Sequence, residues 1–226
     1  MPNVFRAIAV EQRGVGNLPP PSEPRLQEAM RDAQIRKALK GSLLMRHKQD
    51  PHTLVVDELG LRHGRARVDV AVVNGSIHGY EIKSDHDTLR RLPEQVLIYD
   101  SVLDYATLVI GIRYAERALP LLPEWWGMER VEMDEDEEVQ FSTLRAAQQN
   151  PSLDPVGIAK LLWRSEALAL LEEIGAANGV RSKPRAEVYA RLAEAARLDW
   201  LRASVCRQLK SRTGWRAGRP QTPGDD

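Results

Sequence analysis

Residues 65–85, RARVDVAVVNGSIHGYEIKSD, decide how this chain folds. Val68, Val70 and Val72 alternate with Arg67, Asp69 and Ala71, and Asn74-Gly75 is a strong turn pair. Ile77 to Lys83 then resumes extended character, so the stretch predicts a β-hairpin. Register decides which side chains share a face. A two-residue loop at Asn74-Gly75 would set Asp69 across from Tyr80 and leave Asp69 and Glu81 on opposite faces. A three-residue loop, with Gly75 at positive φ, puts Asp69, Glu81 and Lys83 together. It also gathers Val70, Tyr80 and Ile82 on the other face, where they can meet a core. The three-residue loop is the expectation.

Working outward, Thr53 to Leu59 reads as a strand, and Gly60 with Arg62-His63-Gly64-Arg65 reads as the loop into the hairpin. Before it, Leu26, Met30, Ala33, Ile35, Ala38 and Leu39 recur near helical spacing from Arg25, with Gly41 as the stop. Arg31, Arg36, Lys37 and Lys40 fall on its outer, solvated face. After the hairpin, Ser84 and Asp85 are candidate N-caps of a helix that breaks near Leu92. Pro93 then kinks it or opens a second segment running to about Leu103. Tyr105 to Ile112 is a short apolar run suited to a buried strand. The acidic run Asp134 to Glu138 is expected as a solvated turn between two short strands, not as a metal site, because adjacent carboxylates point apart and repel.

Bulk properties narrow the class. The 226 residues carry 32 basic and 32 acidic side chains, are 42% hydrophobic, and suffice for one α/β domain with an appendage. Cys206 is the single cysteine, which excludes an intrachain disulfide and a cysteine-built zinc site. The five histidines show no paired ligand spacing. No apolar run spans a bilayer and the N-terminus lacks a signal-peptide pattern, so the expectation is a soluble, cytoplasmic protein with no membrane partner. Four regions are expected: a poorly ordered lead-in over 1–24, an α/β domain over 25–149, a helical basic region over 150–212, and a flexible tail over 213–226.

Glu81-x-Lys83 alone is weak, since an acid-x-Lys triplet is expected on the order of once by chance in a chain of this composition. Its context gives it weight: a predicted strand, a preceding hairpin turn, and Asp69 on the same predicted face. With these features the segment from Leu26 to Ile112 resembles the PD-(D/E)xK nuclease superfamily, in the order helix, strand, hairpin, helix, strand. Val68 stands where that family's eponymous Pro would be. Gln95-x-x-x-Tyr99 is similar to the QxxxY motif of the RecB-like members, and residues four apart share one helix face. The resemblance implies a restriction-endonuclease-like α/β fold, a mixed sheet flanked by helices and followed by a mainly helical C-terminal region. It further implies Asp69 and Glu81 as ligands of Mg2+, with Mn2+ able to substitute, and Glu58 as an added acidic ligand with Glu28 as its alternative. Lys83 would orient or activate water, with Gln95 and Tyr99 beside it. Hard oxygen ligands, one or two carboxylates and a substrate phosphate, are what Mg2+ takes. The competing reading of the same residues is a plain cross-strand ion pair of Asp69 and Lys83, with Glu81 in solvent.

The C-terminal third turns helical, with segments near Pro155 to Leu162, Ser165 to Ile174, Pro184 to Ala196 and Leu198 to Arg212. From Arg181 to Arg219 eleven basic residues face three acidic ones, an excess that attracts phosphate backbones. Residues 161–175 and 186–192, joined by a loop holding Lys183 and Arg185, resemble a SAP-type DNA-binding module; a helical hairpin packed on the sheet fits equally. The functional expectation is a metal-dependent nuclease acting on DNA, with RNA not excluded and with Arg65, Arg67, Lys183 and Arg185 as phosphate contacts. The alternative is a non-catalytic DNA-binding or partner-binding protein that keeps the nuclease fold.

Overall fold

The computed structural model describes residues 31–62 and 64–212. A six-stranded sheet runs in sequence order through β1 (Leu54–Leu61), β2 (Ala66–Val73), β3 (Ile77–Lys83), β4 (Tyr105–Gly111), β5 (Gly127–Met133) and β6 (Val139–Arg145). The β1–β2, β2–β3 and β5–β6 pairs are antiparallel, whereas β3–β4 and β4–β5 are parallel. This is the mixed α/β sheet expected. A parallel neighbour requires a crossover, and α2 (Leu92–Asp100) supplies it between β3 and β4.

The hairpin takes the three-residue register. Val73 pairs with Ile77, Val72 with His78 and Val70 with Tyr80, leaving Asn74, Gly75 and Ser76 as the loop, with Gly75 at φ +113°. Val70, Val72, Tyr80 and Ile82 then meet Ile35, Leu39 and Leu43 of α1 (Asp32–Arg46) in one buried cluster. Gly79 has its own reason for lacking a side chain, because a Cβ there would lie 2.5 Å from Leu103 Cδ1.

The other face of the sheet carries the larger core. Val56, Ala71, Val73, Ala106, Leu108 and Ile110 pack against Val96 and Tyr99 of α2 and against four further helices. These are α4 (Pro155–Ala159), α5 (Arg164–Glu173), α6 (Arg185–Ala195) and α7 (Leu198–Ser211); the short α3 is Ala115–Ala118. The C-terminal helices thus share one core with the sheet. Arg202 on α7 ties them to it by donating to Asp104 Oδ1 at 2.5 Å, while Asp104 Oδ2 accepts the Ile77 N–H at 2.7 Å. The two helices that resemble a SAP-type module are a packed pair within this layer, with the Tyr189 hydroxyl donating to Leu162 O. Much of the basic excess is matched by acids that the local count missed: Arg181 by Glu172, Arg207 by Glu173 and Arg212 by Glu166.

Three expectations about helix ends need correction, and four others lie outside the described residues. Gly41 does not stop α1, which runs on to Arg46 because Leu43 packs into the core and outweighs the roughly 1 kcal/mol a helical glycine costs. Ser84 and Asp85 do not cap a helix. The Ser84 amide and hydroxyl both donate to Asp87 Oδ2, closing a turn before a 3-10 segment at Leu89–Arg91, and Pro93 sits in the first turn of α2. The helix ends at Asp100, short of Leu103. The expectations for residues 1–24, for the helix start at Arg25, for Glu28 and for the tail from Thr213 lie outside the described residues.

Strict alternation fails once in β1 and once in β2. Val56 and Leu59 face the same core, as do Val68 and Ala71, and an odd spacing permits that only if one intervening residue in each strand is out of phase. The ladder skips one rung at that place. Asp57 pairs with Val70 and Leu59 with Val68, leaving Glu58 and Asp69 unpaired, and Glu58 takes φ +54°. Gly75→Ala tests the turn: a side chain at φ +113° should cost about 1–3 kcal/mol in urea unfolding with an unchanged m value.

Candidate active site

Glu81 and Lys83 stand two apart on β3, so both project toward α2, and they are 2% and 5% exposed. Burial of two charges is tolerable only if they are paired and hydrogen-bonded. Lys83 Nζ donates to Glu81 Oε1, and Gln95 Nε2 donates to the same oxygen at 2.6 Å. The Tyr99 phenol lies within reach of two acceptors, Glu81 Oε2 and, at 2.7 Å, Arg67 O, and its single proton can serve one at a time. Gln95 and Tyr99 are therefore both on the α2 face that meets β3. Tyr99 is also a packing residue, stacked on Trp126 with ring centroids 5.6 Å apart.

Asp69 joins from the skipped rung. Past the Val70–Tyr80 pair, its Oδ2 accepts the Ile82 N–H at 2.8 Å, taking a position that a backbone carbonyl would hold in a regular ladder. Its Oδ1 accepts from Arg36 on α1 at 2.6 Å, and Arg36 also donates to Asp69 O. The sequence places Arg36 on a solvated face. It instead flanks the Ile35–Leu39–Leu43 stripe and reaches down to the strands, held by Asp32 one turn earlier. Lys40, one turn on, does the same toward Asp57. The flanking position and the Asp32–Arg36 spacing were the available signals.

Glu58 does not enter the Glu81 group. It pairs with Arg67 at 2.8 Å and lies 3.7 Å from Arg36, on the solvent side of that guanidinium. Arg67 is thus tied to an in-chain acid, and Arg65, Lys183 and Arg185 are exposed, with Lys183 3.5 Å from Glu187. The plain Asp69–Lys83 ion pair is not what forms. Lys83 pairs with its strand neighbour Glu81, Asp69 pairs with Arg36, and Glu81 is buried.

The charge of Asp69 is felt at Glu81. Burial raises the Glu81 pKa above its ordinary 4.5, and the charge of Asp69 raises it further against the pull of Lys83. Asp69 is raised as well, by burial first, with the Ile82 amide and Arg36 opposing. Burial and the adjacent Glu81 push the Tyr99 phenol up. Burial works against the charge of Arg36, but Asp69 and Asp32 outweigh it and hold the guanidinium protonated.

Among the described residues no group of three His, Cys, Asp or Glu side chains could hold a metal ion. The buried Gln95 Oε1 has no hydrogen-bond partner, while the Nε2 of the same amide donates to Glu81. Tyr99→Phe should lower stability by about 1–3 kcal/mol in chemical denaturation, the cost of stranding a buried acceptor.

The family model of bacteriophage P4 protein cII matches residues 26–217, and the chain belongs to that family. Protein cII of Enterobacteria phage P4 is 25% identical over 150 residues, 66% of this chain and 56% of that protein, so the match spans just over half the relative's length. A solved structure of a protein of unknown function from Silicibacter pomeroyi is similar at 20% identity with a TM-score of 0.35, over 64% of this chain and 94% of that one. No helix among the described residues is long and apolar enough to cross a membrane.

Proposed function

We propose that this member of the phage P4 cII family is a metal-dependent nuclease that hydrolyses DNA phosphodiester bonds. One observation carries the reading: Glu81, Lys83, Gln95 and Tyr99 form a single hydrogen-bonded group, electrostatically linked to Asp69, at a break in the sheet. Asp69, Glu81 and the Gln95 amide oxygen would hold Mg2+ or Mn2+, which when bound supplies a Lewis acid for the phosphoryl oxygens and an acidified water.

The chain's own residues do the rest. Lys83 is a buried point charge that would turn from Glu81 to the phosphate or to the attacking water once the carboxylate is engaged elsewhere. Tyr99 fixes the direction of Glu81, and Gln95 fixes its other oxygen. Arg36 holds Asp69 and must yield it for the site to assemble, so α1 acts as a latch. Arg65, Arg67, Lys183 and Arg185 are exposed cations suited to phosphate contact, although Glu58 and Glu187 already engage two of them.

Incubating plasmid and single-stranded DNA with the full chain and Mg2+ or Mn2+ should give cleavage that falls by at least about 100-fold in Asp69→Ala and Lys83→Ala. Cleavage that survives both changes would remove the site. A second reading, a non-catalytic DNA-binding or partner-binding protein, is favoured by the in-chain neutralisation of each carboxylate, Asp69 by Arg36 and Glu81 by Lys83. DNA binding without cleavage on any substrate would establish it.

The pH profile tests the same group independently. Glu81 must lose its proton to accept a cation, and its pKa is raised, so the acid limb of activity should lie above the ordinary 4.5. Stability should move oppositely. The folded state keeps the proton longer than the unfolded chain, so this group's contribution is largest below the unfolded pKa and is lost as pH rises through the folded one.

A further inference from the structure

A cleft of 420 Å³ opens on the α1 face of the sheet, beyond the end of that helix. Arg46 and His47 close α1 there, about 15 Å along the helix axis from Arg36. The sheet face changes character at the same point. Next to the apolar cluster of Tyr80, Val109 and Val131 lie His78, Thr107, Glu129 and Thr143, with Tyr105 at the wall. Pairing makes them one patch: His78 is opposite Tyr105, Tyr80 opposite Thr107, and Glu129 links Val109 to Thr143.

Most polar groups here are satisfied. His78 Nε2 lies 2.8 Å from Thr107 Oγ1, and the imidazole stacks on Tyr80 with centroids 4.3 Å apart. Arg145 donates to Trp126 O and Pro123 O. Glu129 is the exception. It is 9% exposed, it lines the cleft, and its buried Oε2 has no hydrogen-bond partner among the described residues. A carboxyl at a cleft wall with a buried oxygen that no hydrogen bond satisfies is a receptor for N–H donors. Around it stand an aromatic wall, Tyr105 and His78, and an exposed cation, Arg46.

We propose that this cleft binds a guanine nucleotide, with Glu129 accepting from the paired N–H donors of the guanine edge, Tyr105 flanking the ring and Arg46 facing the phosphate. Guanine carries two adjacent donors on its Watson–Crick edge, which match the two oxygens of a carboxylate. Adenine presents one donor beside an acceptor, which a carboxylate repels. The cleft's volume is of the size that nucleotide-scale ligands fill. Arg46 lines the cleft with its charge toward Glu129 and makes no ion pair among the described residues, so its guanidinium can meet a phosphate. Glu81, Gln95 and Tyr99 lie on the opposite face of the sheet, so this site stands whether or not the chain cleaves DNA.

Calorimetric titration of the full chain with guanosine, adenosine and cytidine monophosphates tests it. Guanosine monophosphate should bind at least tenfold more tightly than the other two, and Glu129→Gln should weaken it at least tenfold. Arg46→Ala should weaken the monophosphate while leaving the nucleoside guanosine unchanged, and Tyr105→Ala should weaken both. These two surface-side variants keep the test decisive if Glu129→Gln fails to fold. Competition by a single-stranded oligonucleotide carrying one guanine would identify a base within a strand as the occupant, and failure to compete would restrict the site to the free nucleotide. No binding by the folded wild type, equal affinity for the three bases, or binding unaffected by Glu129→Gln and Tyr105→Ala would each overturn the assignment.

Discussion

Burying Glu81 beside Lys83 on a central strand is the constraint to which the neighbouring elements respond. An isolated charge at either position would cost several kcal/mol, and their mutual attraction offsets this only when the remaining polar atoms are also satisfied. That requirement places Gln95 and Tyr99 on the inner face of α2, and it holds that helix at the distance a hydrogen bond permits. Tyr99 in turn stacks on Trp126 near the start of β5. The polar group and the apolar core are therefore built on the same side chains, so a change to one strains the other.

The second constraint is the skipped rung at Glu58 and Asp69. A regular ladder would spend the Ile82 N–H on a backbone carbonyl and send Asp69 into the apolar core with Ala71 and Val73. The break lets the Asp69 carboxylate take that N–H while remaining open to Arg36 from the helix above. Asp69 then sits between the two layers: its charge raises the pKa of Glu81 below the sheet, and its carboxylate is bound to α1 above it. Each carboxylate in this arrangement is matched by a cation, Asp69 by Arg36 and Glu81 by Lys83.

Charge elsewhere follows the same economy. The basic excess of the C-terminal helices looks in sequence like a phosphate-binding surface, yet Arg202, Arg207 and Arg212 reach acids on β4's approach and on α5. Ion pairs of this kind fix how the helical layer docks and leave a smaller set of cations at the surface. The cleft beside Glu129 departs from the pattern, because there a buried carboxylate oxygen has no hydrogen-bond partner among the described residues.

Local sequence was enough for much of the architecture. Asn74-Gly75 between alternating valines specified the hairpin, and the wish to bury Val70, Tyr80 and Ile82 together specified its three-residue loop. Periodicity likewise placed the C-terminal helices and β4, because each follows from which residues must leave water. The gathering of Glu81, Lys83, Gln95 and Tyr99 was legible because strand and helix periods put each pair on one face. What the tertiary structure decided were contacts between elements distant in sequence. Arg36 reached Asp69 across 33 residues, α1 ran through Gly41 because Leu43 had a core to enter, and Glu58 paired with Arg67 instead of Glu81's group. No local pattern encodes these, since each depends on which side chain another element presents at that depth, and that is set only when the layers close.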